Sequence, residues 1–248
     1  MTRALILAAG RGSRLGSLTD ECPKGLVKLK GKSLVSRALE TMTAAGIEEV
    51  AIATGYKSEM FGEFNKQTYL NANWDKTNMV SSLLAADTWL AEERTIVSYS
   101  DIFYAPDILC SLMSHEGDVV ITADRSWELL WRKRNDDFLA DAESFRTENG
   151  KLKDIGRQPV ELREIEAQYM GLVSISARGW KGIRNYLLSI SDDCVAKLSM
   201  TDLLMEWVRQ GNAVDVCFID GQWGEVDTPS DLNLYEKMVN SGEIGDWF

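Results

Sequence analysis

The amino-acid sequence predicts an α/β fold: a doubly wound, mostly parallel sheet with a small insertion built on a β-hairpin. Three observations predict it. Continuous runs of Val, Ile, Leu and Ala recur at 4–8, 50–54, 95–100 and 119–123, and segments of helical spacing separate the earlier of them. Strands buried on both faces give unbroken apolar runs of this kind, and the intervening helices supply the covering layers. The first run also passes directly into a glycine-containing bend, and doubly wound sheets hold ligands beyond the carboxyl ends of their strands.

The elements follow in order. After the strand at 4–8 comes Ala9-Gly10-Arg11-Gly12, where Gly10 and Gly12 are free to take positive φ and let backbone N–H groups approach an anion with no Cβ in the way. A helix is expected over about 33–45, then the strand at 50–54. That strand ends at Gly55-Tyr56 without an acid, and Leu15 stands where a dinucleotide fingerprint has its third glycine, so an NAD site fits the sequence poorly. A helix over about 79–90 follows, then the strand at 95–100, which delivers Asp101 to its carboxyl end. Partial alternation at 143–147 and 151–156 flanks Glu148-Asn149-Gly150, a hairpin signal. Strands at 169–176 and 214–219 return to the sheet, and a helix over 229–239 begins at Pro229. With no linker, repeat or low-complexity tract, residues 1–248 are expected to form one domain, in which about 126–175 make up the inserted subregion.

Bulk properties narrow the partners. The 248 residues carry a net charge of −11, which repels nucleic acid and anionic membranes and makes any local cluster of cations informative. Cys22, Cys110, Cys194 and Cys217 are scattered with no C-x-x-C pair, as in a reducing compartment. No signal core or membrane-length apolar run is present, so the expectation is a cytoplasmic protein. His115 is the single histidine, which excludes histidine-based triads and histidine-rich zinc sites.

Against this acidic background, Arg11, Arg14 and Lys24 surround the bend, and Pro23 stiffens the backbone before the lysine. The segment can cradle phosphates, although a glycine pair alone also makes a plain turn. Asp101 and Asp227 each end a strand, and Glu225 stands two residues from the second. Such carboxylates suit Mg²⁺, while each aspartate alone also suits a solvated turn or, at Asp227, a helix cap. Asn78, Ser81 and Ser82 open a helix, where they either cap it or meet a base or ribose. Trp127 and Trp131, spaced i and i+4, share one helical face. With Tyr169 and the polar Asp141, Glu166 and Gln168 they suit an ammonium group, core packing being the alternative for each tryptophan. Arg134 and Lys153 are candidates for an anionic tail.

The string Leu7-Ala8-Ala9-Gly10-Arg11-Gly12-Ser13-Arg14-Leu15, then Thr19, Pro23-Lys24 and Gly31-Lys32-Ser33-Leu34, resembles the signature of the sugar-phosphate nucleotidyltransferase superfamily. Thr77-Asn78-Met79-Val80-Ser81-Ser82-Leu83, Ser100-Asp101-Ile102-Phe103-Tyr104, Glu166-Ala167-Gln168-Tyr169-Met170-Gly171-Leu172 and Trp223-Gly224-Glu225-Val226-Asp227-Thr228 are similar to its phosphocholine and phosphonate cytidylyltransferase branch.

The resemblance implies a Rossmann-like α/β fold and Mg²⁺-dependent transfer of CMP from CTP to a small phospho-acceptor with release of pyrophosphate. Phosphocholine is the first acceptor implied, and 2-aminoethylphosphonate or another phosphonate the second. Residues 7–14 with Lys24, Asn78, Ser81, Ser82 and Asp101 would hold the nucleotide. Lys24 would meet the α-phosphate and acceptor, and Arg14 the β- and γ-phosphates. Asp101, Asp227 and Glu225 would hold the metal, and Trp127, Trp131, Asp141, Glu166, Gln168 and Tyr169 the acceptor. A phosphate monoester, with its second pKa near ~6, arrives ionised, so no general base is needed. The alternatives are a sugar-1-phosphate nucleotidyltransferase and a non-catalytic nucleotide-binding regulatory subunit. A monomer or homodimer is expected.

Overall fold

The computed structural model of the chain describes residues 2–135, 137–245 and 247–248. It opens with β1 (Thr2–Ala8), buried at every position after Thr2. A short hairpin, β2 (Lys28–Leu29) and β3 (Lys32–Ser33), leads into α1 (Leu34–Ala44), where the Ser33 hydroxyl caps the helix by accepting the Ser36 N–H at 3.1 Å. Next come β4 (Val50–Thr54), β5 (Gln67–Leu70), α2 (Met79–Ala85), α3 (Asp87–Glu92) and β6 (Arg94–Tyr99). Then follow β7 (Ile102–Tyr104), α4 (Pro106–Met113), β8 (Val119–Asp124), α5 (Trp127–Arg134), β9 (Phe145–Glu148) and β10 (Lys151–Ile155). The chain continues through β11 (Gln168–Ile175), α6 (Ala177–Ser189), α7 (Asp192–Lys197), α8 (Met200–Arg209) and β12 (Asp215–Ile219), and ends with β13 (Trp223–Glu225) and α9 (Pro229–Ser241).

Among the described residues one sheet has nine strands in the order β5-β4-β1-β6-β11-β8-β12-β10-β9. The β5-β4-β1-β6 run is parallel, as is β8 with β12. β11 enters antiparallel between β6 and β8. Alternate side chains of β1 enter opposite layers. Ala4, Ile6 and Ala8 pack with Val35, Met42 and Ile108, while Leu5 and Leu7 pack with Val80, Trp180 and Leu203. This is the doubly wound arrangement that the sequence predicts. The expected hairpin forms at Asn149 and Gly150, both at positive φ as a type I′ turn requires, and it extends the same sheet through β10 and β12. No helix among the described residues is long and apolar enough to cross a membrane.

Two local departures from the predicted elements matter. The helix expected over 79–90 breaks at Ala86 (φ −98°, ψ 25°) into α2 and α3. Asp87 opens the second piece with its carboxylate accepting from Trp180 Nε1 and Arg184 Nε, both at 2.8 Å, so α6 fixes where α3 begins. Within β11 the pairing register shifts between Tyr169 and Val173. Gly171 there has φ +87°, and a Cβ on it would lie 2.8 Å from the Tyr99 ring. Only glycine suits both demands, so the bulge sets Tyr99 against Tyr169 with ring centroids 5.9 Å apart.

Gly171→Ala should therefore cost about 1–3 kcal/mol through backbone strain and the clash with Tyr99. Urea unfolding measures this, and a variant as stable as its parent would contradict it.

Candidate active site

Lys24 is the centre of the site. Its ammonium lies 2.6 Å from Asp101 Oδ2 and is hydrogen-bonded to Asp227 Oδ1, while Arg14 Nη1 stands 2.6 Å from Asp227 Oδ2. The side chains of Lys24, Asp101 and Asp227 are 13%, 16% and 7% exposed. Gly12 makes the approach possible. It sits at φ 78°, and a Cβ there would lie 2.6 Å from the Lys24 Cβ, so the lysine stem lies directly over the bend. The bend is tied by the Thr19 hydroxyl, which donates to the Gly12 carbonyl at 3.0 Å. Gly10, expected to share the positive φ, does not; it has open space where a Cβ would stand.

A second, small sheet brings the acids together. β7 pairs antiparallel with β13, with Ile102 opposite Glu225, and the Val226 N–H donates to the Asp101 carbonyl at 2.9 Å. Behind it, Arg134 is 2% exposed and contacts Asp231 Oδ1 at 2.9 Å and Glu225 Oε2 at 3.2 Å. Asp231 in turn accepts the Asp227 N–H at 3.0 Å and, with Thr228, forms the capping box of α9.

The electrostatics follow from this crowding. Burial alone lowers the Lys24 pKa, but Asp101, Asp227 and Glu225 outweigh it and hold the ammonium well above the ordinary lysine value. Burial, with the nearby Asp101 charge, pushes Glu225 up to about 7 despite Arg134. Asp101, Glu225 and Asp227 each offer an oxygen within 4.8 Å of the others. Asp101 Oδ1 is buried with no hydrogen-bond partner. Three hard oxygen donors, one of them unsatisfied, fit a divalent cation such as Mg²⁺.

Two cavities meet at this cluster, sharing Met79, Tyr99 and Asp101. The first, about 180 Å³, is lined by Leu7, Ala9, Gly10, Lys24, Asn78 and Ser82, and also by Asn71, Trp74 and Thr77. The second, about 320 Å³, is lined by Arg14, Trp131, Asp141, Gln168, Tyr169, Glu225 and Asp227, joined by Glu143 and the start of α8 at Ser199 to Thr201. Tyr169 Oη is buried there without a partner. Gln168 is occupied: it accepts the Glu143 N–H at 3.1 Å and donates to the Glu143 carbonyl at 2.5 Å, so it positions Glu143. Burial raises the Glu143 pKa, aided by Asp202 and Asp141.

Several residues that the sequence suggests for the site lie elsewhere. Trp127 packs in the core beneath Trp131, 3% exposed, and lines neither cavity. Glu166 is exposed and accepts from the Thr147 backbone and hydroxyl, both at 2.8 Å. Arg11 turns outward to Asp20 at 2.6 Å. Ala8 points into the core, and Ser13 and Ser81 line neither cavity. Arg134 is committed to Glu225 and Asp231, and Lys153 pairs with Glu148 on the hairpin, so neither awaits an anionic tail. Sequence reasoning missed Asn71, Trp74, Thr77, Tyr99 and Glu143. Asn71 and Trp74 stand just before the Thr77-Asn78 motif, which was the available signal.

Comparison with known proteins places the chain among nucleotidyltransferases. The family model of the MobA-like NTP transferase domain matches residues 4–162. The CTP:phosphoglutamine cytidylyltransferase of Campylobacter jejuni is 34% identical over 93% of this chain and 98% of its own length. A 2-aminoethylphosphonate cytidylyltransferase of Lancefieldella rimae is 27% identical over 52% of this chain and 59% of its own. In fold, the inositol-1-phosphate CTP transferase of T. maritima superposes with a TM-score of 0.75 at 21% identity, covering 98% of this chain and 97% of that one.

The raised Glu225 pKa fixes the sign of a pH effect in the metal-free protein. Between about 4.5, its ordinary value, and about 7, the folded chain keeps a proton that the unfolded chain has lost. The contribution of Glu225 to stability should therefore fall as pH rises through that window and level off above it. Denaturant unfolding across this range checks the trend, and Glu225→Gln should flatten it.

Proposed function

The chain belongs to the MobA-like NTP transferase domain family, and from that premise we propose that it is a cytidylyltransferase that moves CMP from CTP onto a small, ammonium-bearing phospho-acceptor. The observation that carries this reading is the junction of the two cavities at Asp101, beside Lys24. An acceptor oxygen in the larger cavity attacks the α-phosphorus of CTP in the smaller one. The new P–O bond forms as the bond to the β-phosphate oxygen breaks, and pyrophosphate leaves.

Each residue has a role in that reaction. Lys24 and Arg14 meet the charge that builds on the phosphates, Lys24 at the α-phosphate and Arg14 further along the chain of phosphates. Asp101, Glu225 and Asp227 would hold Mg²⁺, which would supply charge neutralisation for the triphosphate. Arg134 and Asp231 hold Glu225 and Asp227 in place. The acceptor phosphate arrives ionised, so positioning and charge neutralisation suffice, and no side chain has to remove a proton.

The lining of the larger cavity supports the acceptor class. Glu143 and Asp141 with the rings of Trp131, Tyr99 and Tyr169 match a cationic head by charge and by cation–π contact. The compounds for which the C. jejuni and L. rimae relatives are named, phosphoglutamine and 2-aminoethylphosphonate, both carry an amino group. Phosphocholine, the first acceptor expected from the sequence, has the same charge in quaternary form. We further propose that residues 1–248 act as one domain with the acceptor side built largely from 126–175.

The test is pyrophosphate release with CTP and Mg²⁺ across phosphocholine, 2-aminoethylphosphonate, phosphoglutamine and several sugar 1-phosphates. Turnover with at least one amine-bearing acceptor is expected. Turnover confined to sugar 1-phosphates would replace this reading with a sugar nucleotidyltransferase, and tight CTP binding without turnover on any acceptor would favour a regulatory subunit. Asp227→Asn should lower turnover on the best acceptor by about 10²-fold or more.

A further inference from the structure

We infer that Asn71, acting through the hydroxyl of Ser82, makes the smaller cavity select cytosine over uracil; this deepens the proposed function and rests on the reading of that cavity as the CTP pocket. Asn71 follows β5 and Ser82 lies on α2, and the two residues are 7% and 3% exposed. Both line the cavity with Ala9, Gly10 and Trp74.

The orientation of the Asn71 amide is fixed by its neighbours. The Asn73 backbone N–H, which only donates, meets one terminal atom at 3.1 Å, so that atom is the oxygen Oδ1. The other is the NH₂ group, and it donates to Thr77 Oγ1 at 3.0 Å and to Ser82 Oγ at 3.1 Å. Thr77 passes its own proton to the Asn73 carbonyl at 2.9 Å. Among the described residues the Ser82 hydroxyl accepts from Asn71 and gives its proton to no protein group. Asn71 therefore occupies the lone-pair side of Ser82 and leaves the proton for whatever fills the cavity.

A committed donor distinguishes the two pyrimidines. Ring N3 of cytosine is an acceptor, whereas in uracil the same atom carries a proton. A Ser82 donor aimed at N3 completes a hydrogen bond with cytosine and faces a second donor in uracil, leaving two buried polar groups unpaired. Ser82 touches the base; Asn71 is the positioning residue that sets the direction of its proton.

The relay makes an unusual prediction for Asn71→Asp. Aspartate keeps the oxygen that accepts the Asn73 N–H, but puts an acceptor where the NH₂ stood. The Ser82 proton then turns toward the new carboxylate and a lone pair faces the base, which suits the N3–H of uracil.

The experiment is calorimetric titration of the Mg²⁺-containing protein with CTP and with UTP, for the parent, Asn71→Asp and Ser82→Ala. The parent should prefer CTP by at least about tenfold, Ser82→Ala should bring the ratio of dissociation constants close to one, and Asn71→Asp should move it toward UTP by about tenfold or more. Equal affinities in the parent, or a parental ratio retained by both variants, would overturn the relay. If Asn71→Asp does not fold, Ser82→Ala decides alone, since it removes one buried atom. Binding is measured without an acceptor, so a parent that discriminates the bases yet never releases pyrophosphate supports the relay while the transferase reading fails.

Discussion

One buried ammonium among three carboxylates governs this molecule. Lys24 binds the bend after β1 to Asp227, 203 positions later in the chain, and to Asp101 between them. Stripping such a charge of its partners costs several kcal/mol, so the three segments are held to a common point. The pairing is also reversible by the nature of its charges. In the proposed reaction, a triphosphate with its cation would replace these partners at Lys24 and at the carboxylates.

The rest of the fold serves that point. The ladder between β7 and β13 aligns Asp101 with Glu225 and Asp227, and Phe103 within it packs against Tyr235 at 4.9 Å and Trp247 at 6.0 Å between ring centroids. Gly12 clears the path of the lysine stem, and Gly171 bends β11 so that Tyr99, which lines both cavities, meets edge-on Tyr169, which lines the larger one. A chain of net charge −11 thus collects Lys24, Arg14 and Arg134 where phosphates and their metal are expected.

Much of this was legible in the residue order. The strands at 4–8, 50–54, 95–100 and 119–123 and the Asn149-Gly150 hairpin follow from apolar runs and turn chemistry, and the cations of the bend stand out from an acidic background, while the convergence of Lys24 and Arg14 with Asp101, Glu225 and Asp227 was implied by the family resemblance. What was illegible depended on which way a side chain faces. Trp127 and Trp131 share a helical face, yet that face rests on the core, and only Trp131 reaches the cavity. Arg134 is a cation near the site whose partners, Glu225 and Asp231, lie 91 and 97 residues away, a pairing that no local pattern encodes. Glu143 gains its place from the Gln168 amide, and Asn71 from the hydroxyls of Thr77 and Ser82, in a motif whose sequence fits a helix cap and a base contact equally. Such roles arise from tertiary packing, where sequence periodicity carries no information.

The most direct test of the central claim is a crystal structure with Mg²⁺ and a non-hydrolysable CTP analogue. The account predicts the α-phosphate within hydrogen-bond distance of Lys24 Nζ, the metal held between Asp101 and Asp227, and the base in the cavity of Asn71 and Ser82. A nucleotide seated elsewhere, with Lys24 still locked to both aspartates, would contradict it.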